Sequence, residues 1–303
     1  MIAKPFLKWA GGKRKLLKEI SNLLPDNIDS STIYIEPFVG GGSVLFWILS
    51  NYKNIGKVII NDINNDLMNT YRVVANNPKE LIEILKTFQN EYYLLDEAEE
   101  RKKYYYNKRN LFNLRNQENT LHAALFIFLN RTCFNGLYRV NKKNEFNVPI
   151  GSYIKPLICD ETNINEASKA LRNVIILNGD YYDTIRYINN NKNCLFYLDP
   201  PYKPLSKTAN FNKYSNFIFD DSEQERLKGF CDLLSEKKIN WILSNSDLKN
   251  YNKDNIFFDL LYKEFKINRV SASRVINNNS KDKIIKELLI TNEITEQHKV
   301  FIQ

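Results

Sequence analysis

The stretch that most constrains this chain is Leu195-Phe196-Tyr197-Leu198-Asp199-Pro200-Pro201-Tyr202. Its four large apolar residues read as a buried strand. The two prolines stop that strand, because each lacks the ladder N–H and fixes its own φ. The resulting turn gathers the Asp199 carboxylate, the Pro200 carbonyl and the Tyr202 ring at a strand's carboxyl end, where open α/β sheets place their ligands. Two acceptors beside an aromatic face suit a flat base that carries an amino group. The competing reading is a plain proline turn after a core strand, and the acid directly before Pro200-Pro201 counts against it.

The rest of the chain supplies a sheet for this strand. Ile33 to Glu36 reads as a short strand, followed by Pro37-Phe38-Val39-Gly40-Gly41-Gly42-Ser43 and an apolar helix to about Leu49. A strand, a glycine loop and a helix make the first half of a nucleotide-binding crossover. Leu45 stands where the third fingerprint glycine belongs, which argues against a dinucleotide pyrophosphate site. A second strand, Lys57 to Asn61, ends at Asp62, roughly 20 residues after the glycines, where such folds place a carboxylate for ribose hydroxyls. The pair predicts an adenosine-containing ligand. Val174 to Leu177 returns as a strand ending at Gly179-Asp180-Tyr181, and Trp241 to Leu243 as one ending at Ser244-Asn245-Ser246. Ser222 to Leu234 reads as a helix, and Ile284 to Thr291 as a late strand expected to pair with Phe257 to Phe265. Near the start, Lys8-Trp9-Ala10-Gly11-Gly12-Lys13 is a loop opening a helix to about Leu24. It is not a P-loop, since Arg14 occupies the Ser/Thr place and no strand precedes it.

Between Asn64 and about Asn130 the apolar spacing turns helical, as in Leu67, Tyr71 and Val74. Tyr104 to Arg115 mixes aromatics with Lys103, Lys108 and Arg109, which fits a phosphate path or a wet basic helix face. The segment Arg131-Thr132-Cys133-Phe134-Asn135-Gly136-Leu137-Tyr138-Arg139 then breaks the helix at an Asn-Gly turn. Val140 to Pro149 reads as a β-hairpin or a long ordered loop. A protruding basic, aromatic element of this sort can enter a DNA groove or wedge between bases, or merely cap the helices.

Charge narrows the partner class. Of a formal net charge of +8, residues 1–18 hold six Lys/Arg and no acid, and residues 99–150 hold ten Lys/Arg against four Asp/Glu. Each stretch is net +6, so the remainder is −4, and focused charge of this kind suggests a polyanionic partner rather than a uniformly solvated surface. The four cysteines are scattered without a C-x-x-C pair and there are two histidines, so no metal site is expected. No signal sequence is recognised at Met1 and no apolar run is long enough to span a bilayer, so a cytoplasmic, nucleoid-associated protein is expected.

Four motifs, in order, resemble the Dam and DpnII group of DNA adenine methyltransferases: Lys8 to Lys13, Glu36 to Gly42, Phe134 to Arg139 with Phe146-Asn147-Val148-Pro149, and Asp199 to Tyr202. The resemblance covers nearly the whole chain, and the polar stretch after Ser271 follows it only loosely. It implies an α/β, Rossmann-like methyltransferase sheet, mostly parallel with one late antiparallel strand. Residues 1–70 and 171–303 would form the catalytic domain, and residues 71–170 an inserted, mainly helical target-recognition domain with a β-hairpin. Trp9, Lys13, Pro37, Phe38, Gly40, Gly42, Asp62, Asp180 and Tyr181 would bind S-adenosylmethionine, Asp62 through the ribose hydroxyls and Asp180 through the adenine amine. Asp199, Pro200, Pro201 and Tyr202 would hold an adenine flipped out of double-stranded DNA. Lys8, Arg131, Phe134, Asn135, Leu137, Tyr138, Arg139, Asn141 and Pro149 would contact DNA, with Arg139 on a guanine of GATC and Leu137 intercalating. No metal is implied, and a separately encoded restriction endonuclease is a conceivable partner.

The residues themselves support amine rather than ring-carbon chemistry. A cytosine ring-carbon methyltransferase needs a cysteine nucleophile, usually after proline, and none of Cys133, Cys159, Cys194 or Cys231 follows one. Two other readings remain open at this stage: amino-group methylation of another base, cytosine in DNA or guanine in ribosomal RNA, and a regulator that binds the cofactor and DNA without catalysis.

Overall fold

A computed structural model describes residues 2–188, 193–203, 219–274 and 283–294 of the chain. Its sheet has seven strands among the described residues, in the order β3-β2-β1-β4-β5-β7-β6. In chain order, α1 (Leu17–Ser21) leads to β1 (Ile33–Glu36), α2 (Ser43–Asn51) and β2 (Lys57–Ile60). Five helices follow before the sheet resumes: α3 (Asn65–Asn76), α4 (Pro78–Tyr93), α5 (Ala98–Leu114), α6 (Asn119–Thr132) and α7 (Glu161–Leu171). Then come β3 (Val174–Ile176), β4 (Cys194–Leu198), α8 (Asp221–Glu236), β5 (Asn240–Ser246), α9 (Phe257–Leu261), β6 (Phe265–Arg274) and β7 (Lys283–Ile294).

Strands β3, β2, β1, β4 and β5 pair in parallel, and β7 runs antiparallel to both of its neighbours, β5 and β6. The expected sheet with one late antiparallel strand is therefore present. All five residues of β4 are buried, as a central strand covered on both faces requires. One hydrophobic cluster joins Tyr34, Val58 and Leu195 of the sheet to Phe126 and Phe128 of α6, so the inserted helices share the core of one sheet face. The other face packs α8 through Leu227, Phe230 and Leu234 onto Phe196 and Trp241.

Two expectations are corrected, and one left open is decided. Residues Phe257–Leu261 form helix α9, not a strand, and β7 pairs with β6 instead. The apolar residues Phe257, Phe258, Leu260 and Leu261 follow a helical stagger, Asn255 accepts from the Phe257 N–H at 3.1 Å, and Phe258 goes inward while Leu260 stays exposed. The first helix is shorter than expected: a 3-10 turn at Arg14–Leu16 precedes α1, which ends at Ser21. Of the two readings of the segment after α6, hairpin or long ordered loop, the structure has the second, with the isolated bridges Cys133–Ile150 and Val140–Phe146. The loop folds back on itself through a few backbone bonds, Asn141 N–H to the Glu145 carbonyl at 2.9 Å and Asn147 N–H to the Arg139 carbonyl at 3.1 Å, while helix side chains take others. Part of the polar stretch after Ser271 lies outside the described residues. No helix among the described residues is long and apolar enough to cross a membrane.

Candidate functional site

The carboxyl ends of β1, β2, β3 and β4 open into one cavity of about 630 Å³, closed from the side by the Trp9–Leu16 segment and by Glu287 of β7. That volume lies within the range of roughly 300–1,000 Å³ usual for small-molecule sites. Two regions of it differ in chemistry.

The first is built on the glycine loop. Gly40 and Gly42 have φ of +48° and +76°, the left-handed region that glycine enters without steric penalty. A Cβ on Gly41 would sit 2.6 Å from the Trp9 Cβ, and one on Gly42 would sit 2.5 Å from the Tyr71 hydroxyl. The loop can therefore lie flat against Trp9 only as glycine. The Gly40 N–H donates to Asp62 at 3.1 Å, and the Asn64 N–H donates to its other oxygen at 2.9 Å. Burial pushes the Asp62 carboxyl up to about 6, against those backbone N–H groups. A carboxylate has about four acceptor positions, so the ionised group keeps capacity to accept from a ribose hydroxyl. Phe38 and Tyr181 face each other at 5.1 Å and give the cavity an aromatic wall. Asp180 already receives both Arg226 terminal nitrogens, at 2.8 and 2.9 Å, and that ion pair holds its carboxyl down although burial pushes up. An adenosine-bearing cofactor such as S-adenosylmethionine fits this donor and acceptor set. Asp62 would take its ribose, and the Phe38–Tyr181 wall its base.

The second region is the turn after β4. Asp199 Oδ1 takes the Lys13 ammonium at 2.8 Å and the Ser244 hydroxyl at 2.8 Å. Burial raises the Asp199 carboxyl above its ordinary range, Lys13 and Ser244 pull it back, and the nearby Glu287 charge adds to the rise. The Tyr202 hydroxyl donates to Glu287 at 2.6 Å, and Lys13 Nζ lies 4.5 Å from the Tyr202 ring centre. Beneath them Tyr34 donates to Glu36 at 2.7 Å, and burial puts the Glu36 carboxyl well above its usual range despite that bond. Lys13, expected beside the cofactor, does line the cavity, but its ammonium is directed to Asp199.

Trp9 connects this cavity to the loop after α6. Its ring stacks on Tyr138, with centroids 5.8 Å apart and planes at 23°. Tyr138 is buried and donates to Asp66 at 2.7 Å. Asp66 also meets Arg115 and His122, and these bonds hold its carboxyl down to about 2 against a burial that pushes up. The loop hangs on α5 and α6. Asn113 accepts from the Phe146 N–H at 2.8 Å and donates to the Phe146 carbonyl at 3.0 Å, as a neighbouring strand would. Tyr105 donates to the Val148 carbonyl at 2.8 Å, and the Asn130 amide reaches the Gly136 carbonyl at 3.0 Å.

The residues expected on DNA divide into two sets. Phe134, Asn135 and Pro149 are exposed, Leu137, Arg139 and Asn141 are half-buried, and all lie on this loop. Arg139 donates from Nε to Asn147 Oδ1 at 2.7 Å, which fixes the plane of its guanidinium. Asn141 accepts from the Lys143 and Glu145 N–H groups and so shapes the loop tip. Lys8 packs under Gly136, with its ammonium 4.2 Å from the Tyr153 ring centre. Arg131 and Tyr138 instead turn inward, Arg131 donating to the Phe6 carbonyl at 2.8 Å. Sequence reasoning missed Glu287, Ser244's bond to Asp199, Arg226 and Asn113. Glu287 alone left a signal, as an acid inside the apolar run of β7.

Residues 9–276 match the family model described as D12 class N6 adenine-specific DNA methyltransferase. The type II methyltransferase M.MjaIII of Methanocaldococcus jannaschii is 48% identical over 269 residues, 88% of this chain and 90% of that protein. The DNA adenine methylase of Haemophilus influenzae is 36% identical, over 81% of this chain and 80% of its own. That of Escherichia coli is 35% identical, over 80% of this chain and 81% of its own.

Proposed function

The chain belongs to the D12 class of N6 adenine-specific DNA methyltransferases, and from that premise we propose that it methylates the adenine of GATC in duplex DNA, reading the site with the loop after α6 and taking the base out of the helix into the pocket beside Asp199. One observation carries the reading: the glycine loop with Asp62 and the turn with Asp199 and Tyr202 open into a single cavity. A methyl donor and an amine can therefore meet there. The cavity is recessed at the strand ends, and an adenine stacked in a duplex could not reach it, so extrusion of the base is part of the proposal.

Adenine's exocyclic nitrogen is a poor nucleophile because its lone pair is delocalised into the ring. Asp199 and the Pro200 carbonyl each accept one N–H, which draws the nitrogen towards a tetrahedral shape and frees the lone pair. Tyr202 lies against the base and sets its angle, with its hydroxyl tied to Glu287. S-adenosylmethionine, when bound, supplies a methyl on a sulfonium. That methyl would pass to the nitrogen with the C–S electron pair left on sulfur, and Asp199 would take the surplus proton of the methylated amine and release it towards solvent. Positioning and electrostatics supply most of the acceleration, since the sulfur departs neutral.

The test is methyl transfer to a duplex with one GATC site, followed by nucleoside analysis. N6-methyladenine on that duplex, with little on duplexes changed at one base, supports the reading. A methylated cytosine or guanine would replace it with the other amino-methyltransferase reading. No incorporation, with cofactor and DNA both bound, would leave a non-catalytic regulator.

A further inference from the structure

Asp199 is asked to accept a hydrogen bond and then a proton, yet it sits in a place that disfavours its charge. Only 21% of its side chain is exposed, and it faces Glu287 of β7 as well as Glu36 and Tyr34 of β1, Tyr197 of β4 and Tyr202 in its own turn. Two of these are carboxyls, whose charge would oppose its own. The cation in contact with it is Lys13, which is 4% exposed and comes from a different part of the chain. The Lys13 ammonium is also fixed by the Gly11 carbonyl at 3.0 Å, and Glu287 lies 3.9 Å away on its other side. The Lys13 ammonium thus lies between the Gly11 carbonyl and two carboxylates on the cavity wall.

We propose that Lys13 is a positioning residue that keeps Asp199 a carboxylate and pins its Oδ1, so that Oδ2 is the oxygen presented to the target amine, and that Glu287 opposes it. The inference rests on the reading of Asp199 as the acceptor of that amine. The geometry supports it twice. Both of the contacts described for Asp199, from Lys13 and from Ser244, fall on Oδ1. Glu287 stands opposite Ser246 in the β5–β7 register, two residues beyond Ser244, so β7 delivers its charge to the same spot by strand pairing alone. Tyr202 then joins the system through Glu287, which links the angle of the base-holding ring to the charge balance around Asp199.

The test is the pH dependence of single-turnover methylation of GATC duplex at saturating S-adenosylmethionine. Without Lys13, Asp199 protonates at higher pH. For Lys13→Met the acidic limb should therefore move up by about one unit or more, with a tenfold or larger loss on that limb and partial recovery at alkaline pH. Lys13→Arg should restore much of the wild-type profile. Glu287→Gln removes the opposing charge while keeping an acceptor for Tyr202, and should shift the limb the other way. Opposite shifts from the two variants are a signature that general loss of packing does not give. Binding of S-adenosylhomocysteine, followed by calorimetry, reports whether each variant is folded. A rate loss in Lys13→Met that is equal at all pH values, or one cured by more cofactor, would overturn the inference. If the wild-type enzyme itself makes no N6-methyladenine, the failure belongs to the reading of the site and not to Lys13.

Discussion

The strand ends and the loop after α6 hold their side chains by different means. Around the cavity, Asp62, Asp199 and Glu287 are placed by the sheet: Asp199 directly follows β4, Asp62 lies two residues past β2, and Glu287 is fixed by antiparallel register. The loop from Cys133 to Ile150 has two isolated bridges and no ladder. Its backbone is held by scattered bonds of its own, such as Asn147 N–H to the Arg139 carbonyl at 3.1 Å, and by Asn113, Tyr105 and Asn130, side chains of α5 and α6. A ladder constrains many residues at once, whereas a side chain constrains one or two. On the proposed reading, chemistry that needs fixed geometry would sit on the ladder, and recognition would sit where single substitutions can alter it.

That contrast can be broken at several points. The largest effect is expected from Asp199→Ala, which should lower methyl transfer by about 10²-fold or more, the scale seen when one transition-state hydrogen-bonding group is removed. S-adenosylmethionine affinity should hold, and a parallel loss of cofactor binding would put Asp199 in the wrong half of the cavity. Next is Asp62→Ala, which removes a charged acceptor and should weaken S-adenosylhomocysteine binding by about 1.5–3 kcal/mol in calorimetry. The same assignment gives a pH dependence. Burial raises this carboxyl to about 6, and only its ionised form accepts from both ribose hydroxyls. Wild-type cofactor affinity should therefore fall as pH drops through about 6, and the Asp62→Ala variant should lack that step.

On the loop, Arg139→Ala should cost about 1–3 kcal/mol and relax selectivity at one base pair only, because a guanidinium fork matches the O6 and N7 acceptors of guanine. A uniform loss on all sequences would make Arg139 a phosphate contact. The smallest effect is expected from Asn113→Ala, which frees the Phe146 backbone and should weaken GATC binding by about 1 kcal/mol. Cofactor affinity should stay unchanged. Amide exchange at Phe146 should quicken in that variant; an unchanged rate would mean that the loop is held some other way.

The same division explains what could be read from the chain itself. The strand–turn motifs were legible because their signals are local: an apolar run, then an acid, then prolines or glycines that admit few backbone paths. The order of Glu36, Asp62, Asp180 and Asp199 at successive strand ends followed from that. Glu287 was not legible as a partner of Tyr202, since they are separated by 85 residues and joined only by strand register. Asn113 was hidden for a similar reason, because nothing in a helical segment announces that one amide will serve as a strand edge. Arg131 near the end of α6 and Tyr138 in the loop look like surface groups in the sequence, and the Phe6 carbonyl and Asp66 draw them inward. At Phe257 to Leu261 four large apolar residues around Asp259 suit a strand or a helix by composition, and only their stagger in the structure favours the helix.

The most direct test of the account is to express the protein in a host that lacks adenine methylation and map modified bases across its genome. The account predicts N6-methyladenine at GATC on both strands, lost in Asp199→Ala. Methylation of adenine in a different sequence would contradict the assignment of the reading loop, and modification of another base would contradict the proposed target itself.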